Sequence, residues 1–290
     1  MSSDPTVKMY DILDDVETLV ECYDGKGSVS LVDCTPRLCP EGRDISFAAA
    51  RSARVSYGAS LKTPAQDRSL VRYLILNNHT SPLEFISFTF RIKCPIFVAR
   101  HIMRHRTTSI NEVSARYTIL DDNYFSLSDV RVNNKTNKQG SGSSLPVEES
   151  IEAKRIHEES CKQSMEAYDK LLKMGVAREL ARTVLPCGTF TEFYLNINLN
   201  NLLKFLSLRM AEDAQEETRE VACAMFSLCS PLSNTIFDTY ANTKRGIFLT
   251  RDEAISIRKN STTLVVGNGK GGKKEHEEYI RKLDSLNIEF

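Results

Sequence analysis

Residues 86–94, ISFTFRIKC, alternate apolar and polar without a break. A side-chain period of two puts Ile86, Phe88, Phe90, Ile92 and Cys94 on one face, and Ser87, Thr89, Arg91 and Lys93 on the other. That is the pattern of a half-buried strand, so the fold contains a sheet with one apolar face. Pro95 ends the strand and suits the first turn of a helix, which the sequence predicts over PIFVARHIMRHR (95–106).

Around this unit the chain alternates strand and helix signals. SVSLVDC (28–34) reads as a strand and ISFAAARSARVSY (45–57) as a helix. RSLVRYLILNN (68–78) reads as an amphipathic helix with Leu70, Tyr73, Leu74 and Leu76 toward the core. HTSPLEF (79–85) is a turn. Ser109 and Glu112 have capping-box spacing, which predicts a short helix from 109. Residues 121–148 are rich in Gly, Ser and Asn and are expected to form a mobile loop. A long surface helix follows over 148–175, closed by Gly175, then a shorter one over 177–186, a strand over 189–199, and helix over 200–230 with a break near Glu212–Gln215. There are no repeats and no clear linker. The expected organisation is one mixed domain over 1–250 and a charged extension over 251–290.

The 290 residues carry 38 Lys and Arg against 38 Asp and Glu. Neutrality opposes general affinity for nucleic acid or membrane surfaces. The first residues are polar and acidic, without the pattern of a secretion signal, and no apolar run is long enough to span a bilayer. A soluble cytoplasmic protein is expected. Eight cysteines form no CxxC pair and lie at no ligand spacing from histidine, so no metal site is expected.

Against that neutral background, Arg100, His101, Arg104, His105 and Arg106 crowd into seven positions, and Arg116 follows. Cations near a helix C-terminus complement its dipole, which explains one or two of them. The rest, with Ser109, Asn111, Ser114 and Tyr117, imply a bound polyanion, because Arg suits two-pronged recognition of phosphate or an imide. A basic helix for RNA or DNA is the competing reading. Neutrality and the absence of flanking Lys/Arg clusters oppose it.

The string R-H-R-x-x-S-x-N-E-x-S-x-R-Y, filled here by Arg104, His105, Arg106, Ser109, Asn111, Glu112, Ser114, Arg116 and Tyr117, resembles the signature of the flavin-dependent thymidylate synthases. The resemblance runs from about Leu31 to about Lys244. It includes ARVSY (53–57), HTSPLEF (79–85), IKCPIFVAR (92–100), ARELARTVLP (177–186) and LSLRM with AQEE (206–217). It implies an α/β (α+β) fold with a central antiparallel-type sheet and long helices, and a homotetramer with shared active sites. It also implies methylation of dUMP to dTMP, with 5,10-methylenetetrahydrofolate as carbon donor and NADPH as reductant through FAD.

Carried over by position, the resemblance assigns dUMP to His101, Arg104, Glu112, Ser114, Ala115, Arg116, Arg182 and Arg209. It assigns FAD to Ser81, Arg104, His105, Arg106, Glu112, Asn198, Asn200 and Lys204. Arg209, His79 and Ser114 are the candidate catalytic residues, with Arg209 stabilising charge that develops on uracil. Ser114 has no adjacent general base and reads better as a substrate ligand than as a nucleophile. Three positions depart from the family: His101 stands where Gln is common, and Asn200 and Lys204 replace other polar types. Read alone, His79 is a capping residue, Arg182 and Arg209 are salt-bridge residues, and Lys204 is equally a solvated helix position. VVGNGKGGKK (265–274) imitates a phosphate loop, but Lys274 replaces the magnesium-binding hydroxyl and too little chain follows. A flexible basic tail is the better reading there.

Overall fold

The computed structural model describes residues 8–290 apart from 15, 59–61, 121–122, 135–139, 245–249, 260, 267–268, 271, 287 and 289–290. The chain divides into two units, Met1–Phe237 and Asp238–Phe290.

In the first unit, β1 (Met9–Asp11) pairs antiparallel with β4 (Leu38–Pro40), while β2 (Leu19–Cys22) and β3 (Gly27–Thr35) form a hairpin. Then come α1 (Ser46–Arg54) and α2 (Pro64–Leu76). Helix α2 begins four residues before the periodic apolar stretch. Pro64 stands at its start, and Thr63 and Gln66 cap it reciprocally. Its core face is Val71, Leu74 and Ile75. Tyr73 and Leu76, expected inside, are 52% and 55% exposed. The spacing i, i+3, i+4 from Val71 selects one stripe, and they fall outside it.

The alternating segment forms β5 (Ser87–Pro95), at the centre of an antiparallel sheet ordered β2, β3, β5, β9 (Phe190–Asn198), β6 (Ser109–Glu112). Phe88, Phe90, Ile92 and Cys94 are fully buried. On the opposite face Arg91 pairs with Glu192, and Asn196 donates to Thr89 Oγ1 at 2.9 Å. Helix α3 (Ile96–Ile102) starts directly after Pro95 but stops before Arg104, so the second half of the basic run lies outside it. There the chain turns tightly: His105 N–H donates to the Ile102 carbonyl, and Thr108 Oγ1 donates to the His105 carbonyl.

The helix expected from Ser109 is instead β6 (Ser109–Glu112), the edge strand of the sheet. Residues 109–112 pair with 193–196, and Val113 N–H extends the contact to the Glu192 carbonyl. The ladder pairs the backbone groups that face the neighbouring strand in both directions and adds the segment to the main sheet, whereas a capping box satisfies two donors, so the long-range pairing wins. The expected loop over 121–148 contains a hairpin, β7 (Arg131–Asn133) with β8 (Ser141–Ser144). Arg131 pins it to Glu216 and Glu217, partners that no local pattern reveals.

Next are α4 (Val147–Lys173), closed by Gly175 at φ 81°, α5 (Arg178–Ala181), and β9 (Phe190–Asn198). Helices α6 (Leu199–Arg209) and α7 (Glu216–Cys229) follow, separated by the expected break. Asn198 caps α6 by accepting from Asn201 N–H at 2.9 Å. Helix α7 lies against β2 and β3 and covers the apolar face of the sheet.

Helix α8 (Asn234–Lys244) spans the division between the units. The second unit is folded, not a flexible tail. It holds α9 (Arg251–Arg258), the hairpin of β10 (Val265–Val266) and β11 (Gly269–Lys270), and α10 (Lys273–Ser285). Leu264, Tyr279 and Leu283 form its core. The nearly buried Glu253 carboxylate takes Lys282 Nζ at 2.8 Å, so the charges that suggested a solvated tail are partly consumed inside it. Gly267 of the loop-like motif lies outside the described residues. The Gly272 N–H is already held by the Glu275 carboxylate at 2.8 Å, so it is not part of an open phosphate cradle.

Candidate active site

A cavity of about 1480 Å³ opens in the first unit beside the end of α3. Its walls include His101, Arg209, the α6–α7 connection, the β7–β8 hairpin, and His157 and Cys161 of α4. Arg209, the last residue of α6, donates from Nε to His105 Nε2 at 3.0 Å. The His105 ring packs edge-on against Phe205, one turn back on α6, with centroids 4.8 Å apart. Phe205 is buried and so fixes both partners. His101 Nδ1 lies 3.0 Å from Thr218 Oγ1 on α7.

Electrostatics follow from this packing. Burial pushes the His105 pKa down, and the charges of Arg209 and His101 add to the effect. Burial also lowers His101, with Arg209 second. Both imidazoles are therefore neutral near pH 7. Burial lowers Arg209 as well, yet a guanidinium stays charged in a protein. The cation is thus held in a partly desolvated wall, where it acts strongly on any negative charge placed before it.

The other predicted residues occupy two further regions. In the first, Glu112 accepts from buried Thr191 Oγ1 at 2.7 Å, and Arg116 N–H donates to Ser114 Oγ at 3.3 Å. Ala115 is buried. The turn at 114–117 is tied to α5: Arg116 pairs with Glu179 at 3.4 Å, and Arg178 donates to the Tyr117 carbonyl at 2.7 Å. Arg182 follows directly on α5. Arg104, Arg106 and Arg182 are exposed, and among the described residues their guanidinium groups have no partner.

The second region joins the turn at Ser81–Phe85 to the start of α6. Leu199 N–H donates to the Ile86 carbonyl at 2.8 Å, and Asn200 donates to Glu84 Oε1 at 3.2 Å. His79 packs edge-on against Tyr73 at 5.5 Å. Ser81 and Lys204 are exposed. Ten residues of helix separate Leu199 from Arg209, or about 15 Å at 1.5 Å per residue. A single chain therefore does not gather all the predicted ligands around one point.

Sequence reasoning missed Thr218, Phe205, Thr191, Arg178 and Glu179. Phe205 lies at i−4 from Arg209, a helical spacing that was legible. Thr218 is 117 residues from His101, and nothing local links them.

Residues 39–233 match the family model described as thymidylate synthase complementing protein. The flavin-dependent thymidylate synthase of Dictyostelium discoideum is 36% identical, over 97% of this chain and 92% of its own length. That of Treponema denticola is 39% identical, over 90% and 95%. Among solved structures, a UMP/dUMP methylase, PolB from Streptomyces cacaoi bound with 5-Br dUMP, superposes with a TM-score of 0.66. It is 31% identical, and the match covers 76% of this chain and 96% of that one. With a mixed fold around an antiparallel sheet, a family model matched over residues 39–233 and relatives similar over nearly the whole chain, this chain belongs to the flavin-dependent thymidylate synthase family.

Proposed function

We propose that the chain is a working flavin-dependent thymidylate synthase, which methylates dUMP to dTMP with 5,10-methylenetetrahydrofolate and NADPH. The observation that carries this reading is the half-buried Arg209 guanidinium, anchored through Nε by a neutral histidine on the wall of a large cavity. Methylation at C5 of uracil requires negative charge to spread over the ring and its oxygens. A preorganised cation at that edge stabilises the charge as it develops. His105 occupies Arg209 Nε and so orients the remaining N–H donors. His101 lines the same wall and supplies a further hydrogen bond.

The donor set suits FAD. Among the described residues Arg104 and Arg106 have no acid partner, in a chain that is neutral overall, and together with His105, Ser81, Asn198, Asn200 and Lys204 they would hold its phosphates and adenine. When bound, FAD supplies the hydride chemistry. Arg116, Arg182, Ser114 and Glu112 are assigned to the nucleotide. At about 1480 Å³ the cavity exceeds the roughly 300–1,000 Å³ of ordinary small-molecule pockets, which favours a reaction with several large reactants. The separation of the ligand sets along α6 supports a homotetramer with shared sites. The reading carries a cytoplasmic setting with it; all eight cysteines are free, as a reducing compartment keeps them. Residues 251–290 stand as an extension to the catalytic domain, and no helix among the described residues is long and apolar enough to cross a membrane.

The test is the visible spectrum of the purified protein with FAD, then with NADPH and dUMP without oxygen, followed by assay of dTMP with the folate. Uptake of FAD, bleaching by NADPH and dTMP formation are expected. A protein that takes up no flavin overturns the reading.

A further inference from the structure

Thr218 is fully buried in the first turn of α7. Among the described residues, the only partner of its hydroxyl is His101 Nδ1, 3.0 Å away. A hydroxyl has one proton and two lone pairs. A buried O–H without an acceptor costs more than an idle lone pair, and here water cannot reach it. The Thr218 proton therefore points at Nδ1, and Nδ1 must be the unprotonated nitrogen. The single proton of the neutral imidazole then sits on Nε2. His105, four positions on, is held the other way: Arg209 Nε–H donates to its Nε2, which leaves the proton on Nδ1. Each tautomer is dictated by one protein donor.

A neutral imidazole can offer an acceptor or a donor to a ligand. Fixed by Thr218, His101 offers a donor, and the neighbouring Arg209 offers nothing else. Toward a ligand, the His101–Arg209 pair on this wall therefore presents donors alone. Uracil presents an acceptor, a donor and an acceptor at O4, N3–H and O2, whereas cytosine presents a donor, an acceptor and an acceptor, so a donor from the protein tells the two apart where it faces position 4.

We propose that Thr218 is a positioning residue that locks His101 as the Nε2–H tautomer, and that the resulting donor-only edge formed with Arg209, set against position 4 of the base, selects uracil over cytosine nucleotides. This rests on the reading of the cavity as the uracil site. A site built to hydrogen-bond one group strongly rejects the analogue that lacks it, so the edge contributes specificity as well as affinity.

The experiment uses the full-length, flavin-loaded protein with 15N-labelled histidine. Only five histidines are present, and H101Q identifies the His101 signals by their loss. In the wild type without nucleotide, solid-state NMR is expected to show His101 protonated at Nε2 alone. T218V, which keeps the shape and removes the hydroxyl, is expected to show both tautomers. It should also raise the KM for dUMP about tenfold with kcat nearly kept, the cost of one hydrogen bond, and narrow the preference for dUMP over dCMP. T218S should restore all three. A wild-type His101 protonated at Nδ1, or a T218V spectrum identical to wild type, overturns the role of Thr218. A wild type with the Nε2–H tautomer that binds no dUMP overturns instead the functional reading, and the specificity claim with it.

Discussion

At the scale of single residues, the site is three side chains that fix one another. Arg209→Ala removes the cation from the cavity wall, and kcat is expected to fall at least 10²–10³-fold, the usual cost of a preorganised charge-stabilising donor. FAD uptake and assembly should be unchanged, and normal turnover in R209A would reject its assignment. The histidines give a pH signature. Burial holds the folded-state pKa values of His101 and His105 below the ordinary histidine value of 6.5, so between those values and 6.5 the unfolded chain binds more protons. Their contribution to stability is fully present above about 6.5 and is lost as pH falls through the folded values. Protonated His105 also cannot accept from Arg209 Nε. We expect kcat/KM to have an acid limb below about pH 6.5, and the urea midpoint to drop over the same range. A flat profile from pH 5 to 7.5 would contradict the neutral state of both rings.

At the scale of elements, the strand at the heart of the sheet was fully legible. The alternation over 86–94 fixes face, register partner type and burial at once, because a period of two has only two phases. Phe90→Ala should therefore cost about 3–5 kcal/mol by urea unfolding, since Phe90 is fully buried at the sheet centre. A loss under 1 kcal/mol would mean the sheet is not the core. Segment 109–112 was misread for the converse reason. Its local signal, Ser109 to Glu112, is real, but the competing partner is β9, more than eighty residues later. Tyr73 and Leu76 failed differently: hydrophobicity marked them, while the phase of the helix excluded them. In the candidate site, the string at 104–117 stood out in the sequence residue by residue. Thr218 and Phe205, which hold the histidines, act only through three-dimensional contact.

At the scale of the molecule, the single chain exposes Tyr73, Leu76 and Phe85 at 52%, 55% and 66%, and it leaves Arg104, Arg106 and Arg182 without partners among the described residues. Both features are expected of a subunit rather than of a finished enzyme. Sedimentation should give about four times the 32.7 kDa chain mass, with dissociation and loss of activity on dilution; an active monomer would refute shared sites. The small second unit has its own core and its own ion pair, and Lys282→Met is expected to expose its amides to hydrogen exchange by stranding the Glu253 carboxylate.

The span of α6 has a genetic corollary. His79 belongs to the region beside its first turn, and Arg209 forms its last. A cell that depends on this gene for thymidine should be rescued by neither H79A nor R209A alone. Expressed together, the two defective alleles should restore growth, because some mixed assemblies bring an intact beginning from one copy to an intact end from another.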